Sequence, residues 1–309
     1  MGILAGVTRG KVQRPHLVLI YATDGWGKST MASEAPAPLF LGAEEGTNNL
    51  DVARLAPKSV ADVRAALTEL ATTTHEFGSV VVDTLDWIAA MIEAEVIAAA
   101  HDTKITSLED FGYGKGRVRA YEMWRELLPA FTTLRDRCIN VIALAHASIK
   151  KFEDPALPQG YDRYGLKLQS GANSDVAGLW REYVDSVVFG NYDVSVSADD
   201  KRRAFGQGER VLYTERRPGF EAKNRFSMPA ELKMVKGRMW AEYARYVEAA
   251  PDRSSDAKVL QEQIAALVPR IKNQGILPQV HAAIVAAGDD VAQLRKLVKR
   301  LDTLIGKEA

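Results

Sequence analysis

Short apolar runs recur along the chain, separated by segments whose apolar residues have helical spacing. His16–Tyr21 (HLVLIY), Leu39–Leu41, Ser79–Val82 and Asn140–Ala145 are nearly continuous apolar runs, the pattern of strands buried on both faces. Between them, Val60–Thr72 carries Val60, Val63, Leu67 and Leu70 at helical intervals, and Leu85–Ala100 is apolar-rich. Val118–Arg137 places Trp124, Leu127, Leu128, Phe131 and Leu134 on or near one helical face. Asp185–Phe189 and Arg210–Thr214 read as further strands with a polar hairpin between them. Strands alternating with helices predict an α/β fold, a mainly parallel sheet flanked by helices on both faces. Lys150–Ser174, rich in Gly, Pro and charge, reads as a mobile loop.

The texture changes near the C-terminus. Pro251–Ser255 reads as a linker, followed by three short helical patterns broken near Asn273–Pro278 and Gly288–Asp290. The expected organisation is an N-terminal arm over 1–15, a core over 16–250 and a small helical region over 251–309. Residues 291–300 (VAQLRKLVKR) form a basic amphipathic pattern. It suits either contact with DNA or a partner helix, or docking on the region's own apolar side.

Composition adds few constraints. The 309 residues are 47% hydrophobic and 26% charged, and Lys+Arg and Asp+Glu both number 40. Bulk charge therefore gives no attraction to nucleic acid, and any such binding needs local basic patches. Cys138 is the single cysteine, which excludes a disulfide or a cysteine zinc site within one chain. It precedes the apolar run Ile139–Ala145 and is expected to be a buried small hydrophobe. No run has membrane-spanning length and no leader pattern opens the chain, so the expected location is the cytoplasm, including a phage-infected one.

The chemistry is carried by Ala22-Thr23-Asp24-Gly25-Trp26-Gly27-Lys28-Ser29, between a predicted strand and a predicted helix. That context is the one a Walker A phosphate loop requires. Gly25 and Gly27 let backbone amides turn around phosphate oxygens. Lys28 would reach the β- and γ-phosphates of ATP, and Ser29 would ligate Mg2+. Asp24, Trp26 and Thr30 complete the candidate nucleotide-binding set. The usual first glycine is replaced by Ala22. Asp83 closes the run Val80-Val81-Val82, where a carboxylate can hold a Mg2+-bound water beside Ser29; capping of the next helix is the alternative. Glu44 and Glu45 follow Leu39–Leu41, a strand end from which a carboxylate could activate water.

Several segments together resemble RecA-like ATPases, and specifically the phage nucleotide-binding proteins associated with single-strand annealing and recombination. They are YATDGWGKST, LFLGAEEGT, VVVDTLDWI, FGYGKGRVRAYEMW, VIALAHASIKK and YTERRPGFEAKNRFSMP, spread over roughly residues 16–232. The resemblance implies a RecA-like core in which Glu44 is the base, Asp83 belongs to Walker B and His146 is a γ-phosphate sensor. Ala222-Lys223-Asn224-Arg225-Phe226 resembles the Lys-Asn-Arg-Phe-Gly segment of RadA-type proteins, with Ser227 in place of glycine. The resemblance gives Lys223 and Arg225 a catalytic part on the γ-phosphate held by a neighbouring subunit, hence a homo-oligomeric ring or filament. It also places a DNA-binding loop at Ser148–Ser174, with Lys150, Lys151, Arg163 and Lys167 for phosphates and Tyr161 and Tyr164 for bases. Asp154 and Asp162 oppose that reading. Phe111–Arg119 is a second basic candidate.

The function these features imply is an ATP-dependent, single-stranded-DNA-binding recombination or annealing protein. A single-strand-binding protein is a candidate partner of the C-terminal region. Two alternatives stay open: a hexameric DNA translocase or helicase, and a non-catalytic annealing module in which nucleotide only sets the oligomeric state.

Overall fold

A computed structural model describes residues 14–42, 47–154, 156–193, 195–196, 204–205, 208–247, 260–261, 263–271, 274–288 and 291–308. The chain divides into two compact units, Met1–Val247 and Glu248–Ala309.

In the first unit, β1 (Leu17–Ala22) leads through a glycine-containing loop into α1 (Lys28–Ser33). There follow β2 (Pro38–Leu41), β3 (Ala53–Leu55), α2 (Val60–Thr72), β4 (Ser79–Val82), α3 (Leu85–Ala98) and α4 (Lys115–Asp136). Next come β5 (Asn140–Phe152), β6 (Tyr161–Leu166), α5 (Val176–Tyr183) and β7 (Ser186–Tyr192). The short strands β8 (Ser195–Val196) and β9 (Ala204–Phe205) pair with each other, before β10 (Arg210–Tyr213), β11 (Glu231–Met234) and α6 (Met239–Val247). The sheet order is β11-β10-β7-β1-β5-β4-β2-β3. The strands from β7 to β3 in that order are parallel, and β10 and β11 add an antiparallel edge. This is the mainly parallel, helix-flanked α/β class expected from the sequence.

Strand alternation builds the two faces. Leu17, Leu19 and Tyr21 point into one core, shared with apolar residues of α2, α3, α4 and α5. Val18, Ile20 and Ala22 point into the other, with Met31 of α1 and Trp240 and Tyr243 of α6. All six residues of β1 are buried, which explains why the run reads as continuously apolar. Ser59 caps α2 by accepting from the Asp62 N–H at 3.1 Å.

Two expectations are corrected. The segment expected to be a mobile loop is in large part a β-hairpin. β5 continues past the sheet to Phe152, and Ala147–Phe152 pairs antiparallel with Tyr161–Leu166. Its mixed polar composition reflects a ribbon that leaves the core. Cys138 is exposed, not buried. It takes a left-handed turn (φ 62°) between α4 and β5, and the core resumes only at Ile139.

In the second unit, α7 (Leu277–Ala287) and α8 (Val291–Glu308) pack with earlier helical turns around Ile264, Ile271, Val280, Ala287, Leu294, Leu297 and Leu301. The apolar side of α8 thus faces the unit's own core, while Lys296, Lys299 and Arg300 are exposed. Among the described residues, no helix is long and apolar enough to cross a membrane.

Candidate nucleotide site

The loop between β1 and α1 turns on its two glycines. Gly25 has φ 73° and Gly27 φ 107°, left-handed conformations that a side chain would strain. Gly27 caps α1, and its carbonyl accepts the Met31 N–H at 2.9 Å. Trp26 lies between them and is fully buried. Its indole N–H donates to the Asn191 carbonyl at 3.0 Å, and its ring covers Gly190, where a Cβ would stand 2.5 Å from the ring. The indole is therefore an anchor that fastens the loop to the end of β7. Ala22, where the usual loop has glycine, is the fully buried last residue of β1 and enters the core.

Lys28 and Ser29 follow at the start of α1. The Ser29 hydroxyl donates to Asp83 Oδ2 at 2.7 Å. Asp83 lies just beyond β4, is 2% exposed, and its N–H bonds the Leu41 carbonyl of β2 at 3.0 Å. The sequence pair Ser29 and Asp83, separated by 54 positions, is thus brought into contact. The Asp83–Thr84 peptide is cis. Gly42 passes so close that a Cβ there would lie 2.0 Å from the Asp83 carbonyl oxygen.

The donor set fits a hard divalent cation. A hydroxyl and a carboxylate oxygen lie side by side, and Mg2+ takes its remaining oxygens from water and phosphate. Among the described residues, no group of three or more His, Cys, Asp or Glu side chains is placed to hold a metal alone.

His146 of β5 stands next to Ala22 of β1 in register. Its backbone N–H donates to Asp86 Oδ2 at 3.0 Å, and its Nδ1 lies 3.4 Å from the same oxygen. Asp86 sits in the first turn of α3. Glu44 and Glu45 lie outside the described residues.

Lys223 and Arg225 are placed elsewhere. Lys223 pairs through its backbone with Val187 of β7, and its Nζ donates to the Arg181 carbonyl at 2.6 Å. Burial, and then the nearby Arg225 charge, lower the Lys223 pKa. Arg225 reaches Asp185 Oδ1 at 3.4 Å. Asp185 also accepts the Leu17 N–H, at the start of β1, whereas the phosphate loop leaves the end of that strand. Five residues of strand separate the two sites, about 16 Å. Arg225 therefore rests at the end of the central strands opposite the loop that follows β1. Asn224 shapes its turn by accepting the Phe226 and Met228 N–H groups. Ser227 adopts φ 53°, the conformation that the glycine of the RadA-type segment takes more readily.

The basic hairpin divides. Arg163 is 5% exposed, lies 4.4 Å over the Phe152 ring and is paired with Glu221, so it faces inward. Glu221 also pairs with Arg181, and its backbone exchanges hydrogen bonds with the Tyr21 hydroxyl. Tyr164 packs 5.1 Å from Phe189. Lys150 turns back to the Leu168 carbonyl at 3.0 Å, and burial lowers its pKa. Lys151 and Lys167 are exposed, and Tyr161 is half-buried with its ring edge against Phe152. In the second basic candidate, Arg117 pairs with Glu109 and Arg119 lies over Phe111, while Tyr113 is fully exposed.

Sequence reasoning passed over Gly42, Gly190, Asn191, Tyr192 and Arg210, all of which touch the phosphate loop or Asp83. Only the three-dimensional pairing of strands distant in sequence brings them there; no local motif marks them.

No curated protein sequence matches this chain. Among solved structures it is similar to one titled "Crystal structure of the RadB recombinase", at 13% identity and a TM-score of 0.37, covering 72% of this chain and 90% of that one. A family model described as an AAA domain (AAA_24) matches residues 14–226, from before β1 through Phe226, and the chain belongs to that family.

Proposed function

We propose that the protein binds and hydrolyses ATP with Mg2+ and couples this cycle to single-stranded DNA in recombination or annealing, as a homo-oligomer. The observation that carries the nucleotide reading is the 2.7 Å contact of Ser29 with Asp83 beside a glycine-turned loop that leads into Lys28. When bound, Mg2+ would link the triphosphate to this pair and neutralise charge that develops during phosphoryl transfer. Lys28 binds the phosphate tail, and Trp26 and the two glycines hold the loop to receive it. Glu44 is the proposed base that takes the proton of the attacking water, with Glu45 as its neighbour in sequence. His146, at the end of β5, is the proposed sensor of the terminal phosphate.

The trans role proposed for Lys223 and Arg225 is supported by their position far from their own loop. Two cations there can stabilise charge at a neighbour's site. For DNA, Lys151 and Lys167, whose side chains are exposed, and the half-buried Tyr161 beside them are the hairpin residues proposed to meet phosphates and bases.

The test is ATP turnover measured with and without an oligo(dT) strand, together with binding of that strand at several salt concentrations. Turnover should rise with the strand. Reversing the charges of Lys151 and Lys167 should weaken binding and flatten its salt dependence. Turnover indifferent to DNA, together with no measurable strand binding, would sink the DNA half of this reading and leave the nucleotide half.

A further inference from the structure

We infer that Tyr192 and Arg210 form a clamp that positions the phosphate loop for the phosphate tail of a nucleotide. The inference rests on the nucleotide reading above and assigns two residues outside the Walker motifs.

Consecutive carbonyls of the loop are held by side chains from the sheet. The Tyr192 hydroxyl donates to the Gly25 carbonyl at 2.7 Å. Arg210 Nε donates to the Trp26 carbonyl at 2.6 Å. Tyr192 and Arg210 face each other across the antiparallel ladder of β7 and β10, and the guanidinium lies 5.5 Å from the Tyr192 ring centroid. The two side chains thus brace each other as well as the loop.

A trans peptide points its C=O and N–H in opposite directions. Fixing a carbonyl therefore fixes the direction of the N–H in the same peptide plane. The Gly25–Trp26 plane is held on both sides, by Tyr192 at the carbonyl and by the Trp26 N–H to Thr23 carbonyl bond at 3.3 Å. The Trp26–Gly27 plane is held by Arg210, which aims the Gly27 N–H away from β10. An anion-binding loop works by presenting N–H groups to the anion. With the Trp26 N–H donated to Thr23, the Gly27 N–H is the one of the two that the clamp aims, and an unheld loop must be ordered at the expense of binding free energy. Arg210 also brings a positive charge within reach of the loop: its Nε is 3.8 Å from the place a Gly27 Cβ would occupy.

The template extends along the end of β7. Thr23 N–H donates to the Gly190 carbonyl at 3.2 Å, and Thr23 Oγ1 donates to Asn191 Oδ1 at 3.2 Å. Gly190, Asn191 and Tyr192 each touch the loop, so the conformation of β7 and its β10 partner is imposed on it.

The experiment compares wild type with Tyr192→Phe, Arg210→Gln, the double variant and Arg210→Lys. Dissociation constants for Mg·ATP and Mg·ADP, steady-state KM and kcat, and Tm are measured on the full chain. A lost hydrogen bond from a charged donor, with the reordering it entails, predicts roughly tenfold weaker binding of both nucleotides in Arg210→Gln. Tyr192→Phe, which removes one oxygen, should weaken binding severalfold. KM should rise in parallel while kcat stays within about twofold, because the residues at Asp83 are untouched. Arg210→Lys should recover part of the loss. Unchanged affinity in a folded double variant overturns the clamp while leaving the phosphate-loop reading intact. A fall in kcat without a change in affinity or KM overturns it as well. A wild type that binds no nucleotide overturns both readings.

Discussion

Gly42 offers a sharp test of the Ser29–Asp83 geometry, because the perturbation is one methyl group outside the sequence motifs. In Gly42→Ala the new Cβ would stand 2.0 Å from the Asp83 carbonyl oxygen and 2.9 Å from its carbonyl carbon, whereas ordinary contact begins at 3.4 Å. The atoms it meets are backbone, so relief requires Asp83 or the end of β2 to retreat by about 1 Å or more. The Ser29–Asp83 bond, now 2.7 Å, would then lie beyond hydrogen-bonding reach if the movement carries the carboxylate away. Overpacking of this kind costs about 1–3 kcal/mol of stability, which lowers Tm by roughly 2–4 °C for each kcal/mol in a domain of this size. A misplacement near 1 Å at the chemistry can reduce turnover by on the order of 100-fold. The assay is ATP turnover against Mg2+ concentration, with nucleotide binding measured in parallel. The variant should need more Mg2+ and turn over far more slowly, while Lys28 preserves much of the affinity. Wild-type turnover and Mg2+ dependence in a folded Gly42→Ala protein would refute the claim that Asp83 placement controls the site.

Three further outcomes follow from other parts of the molecule. Glu44→Gln should bind ATP normally and lose most turnover; if only Glu45→Gln behaves so, the base is the neighbouring residue. Arg225→Ala should retain nucleotide binding and lose most turnover, and mixing it with Lys28→Ala subunits should restore part of the activity, since some interfaces then pair an intact loop with an intact arginine; full activity of Arg225→Ala alone would remove its catalytic role. Burial lowers the His16 pKa to about 4 from 6.5, with Asp185 opposing and Arg135 adding to the shift. The unfolded chain then takes up the proton first, so stability should fall as pH drops from about 6.5 and level off near 4, by on the order of 3 kcal/mol. His16→Phe should flatten that slope in denaturant melts, and an unchanged slope would assign it to other groups.

The central strands of the first unit were legible because burial on both faces leaves an unmistakable apolar run, as in His16–Tyr21 and Val80–Val82, and helices α2, α3 and α4 by their spaced apolar residues; the short elements β3, α5, β11 and α6 were not foreseen. The glycine-turned loop between β1 and α1 was legible as a loop because glycine, lysine and serine occur where strand gives way to helix. The hairpin over Ala147–Leu166 was not, because a ribbon outside the core has no apolar periodicity strong enough to mark it. Arg163 read as a surface cation for the same reason. Its partners are Glu221, 58 positions away, and the face of Phe152, and a single-sequence reading has no access to such pairings. Cys138 read as buried because it adjoins an apolar run, yet a left-handed turn residue points away from the core that follows it. Tyr192 and Arg210 have no motif at all; their effect comes from the register of β7 with β10.

The central claim, that the loop from Thr23 to Ser29 is a functioning phosphate-binding loop, is tested most directly by calorimetric titration of Mg·ATP into wild type and Lys28→Ala, paired with phosphate-release measurements. The wild type should bind and hydrolyse ATP. Lys28→Ala, with its Tm preserved, should bind the triphosphate much more weakly and release no phosphate above background. Equal affinity and equal phosphate release in the two proteins would contradict the claim.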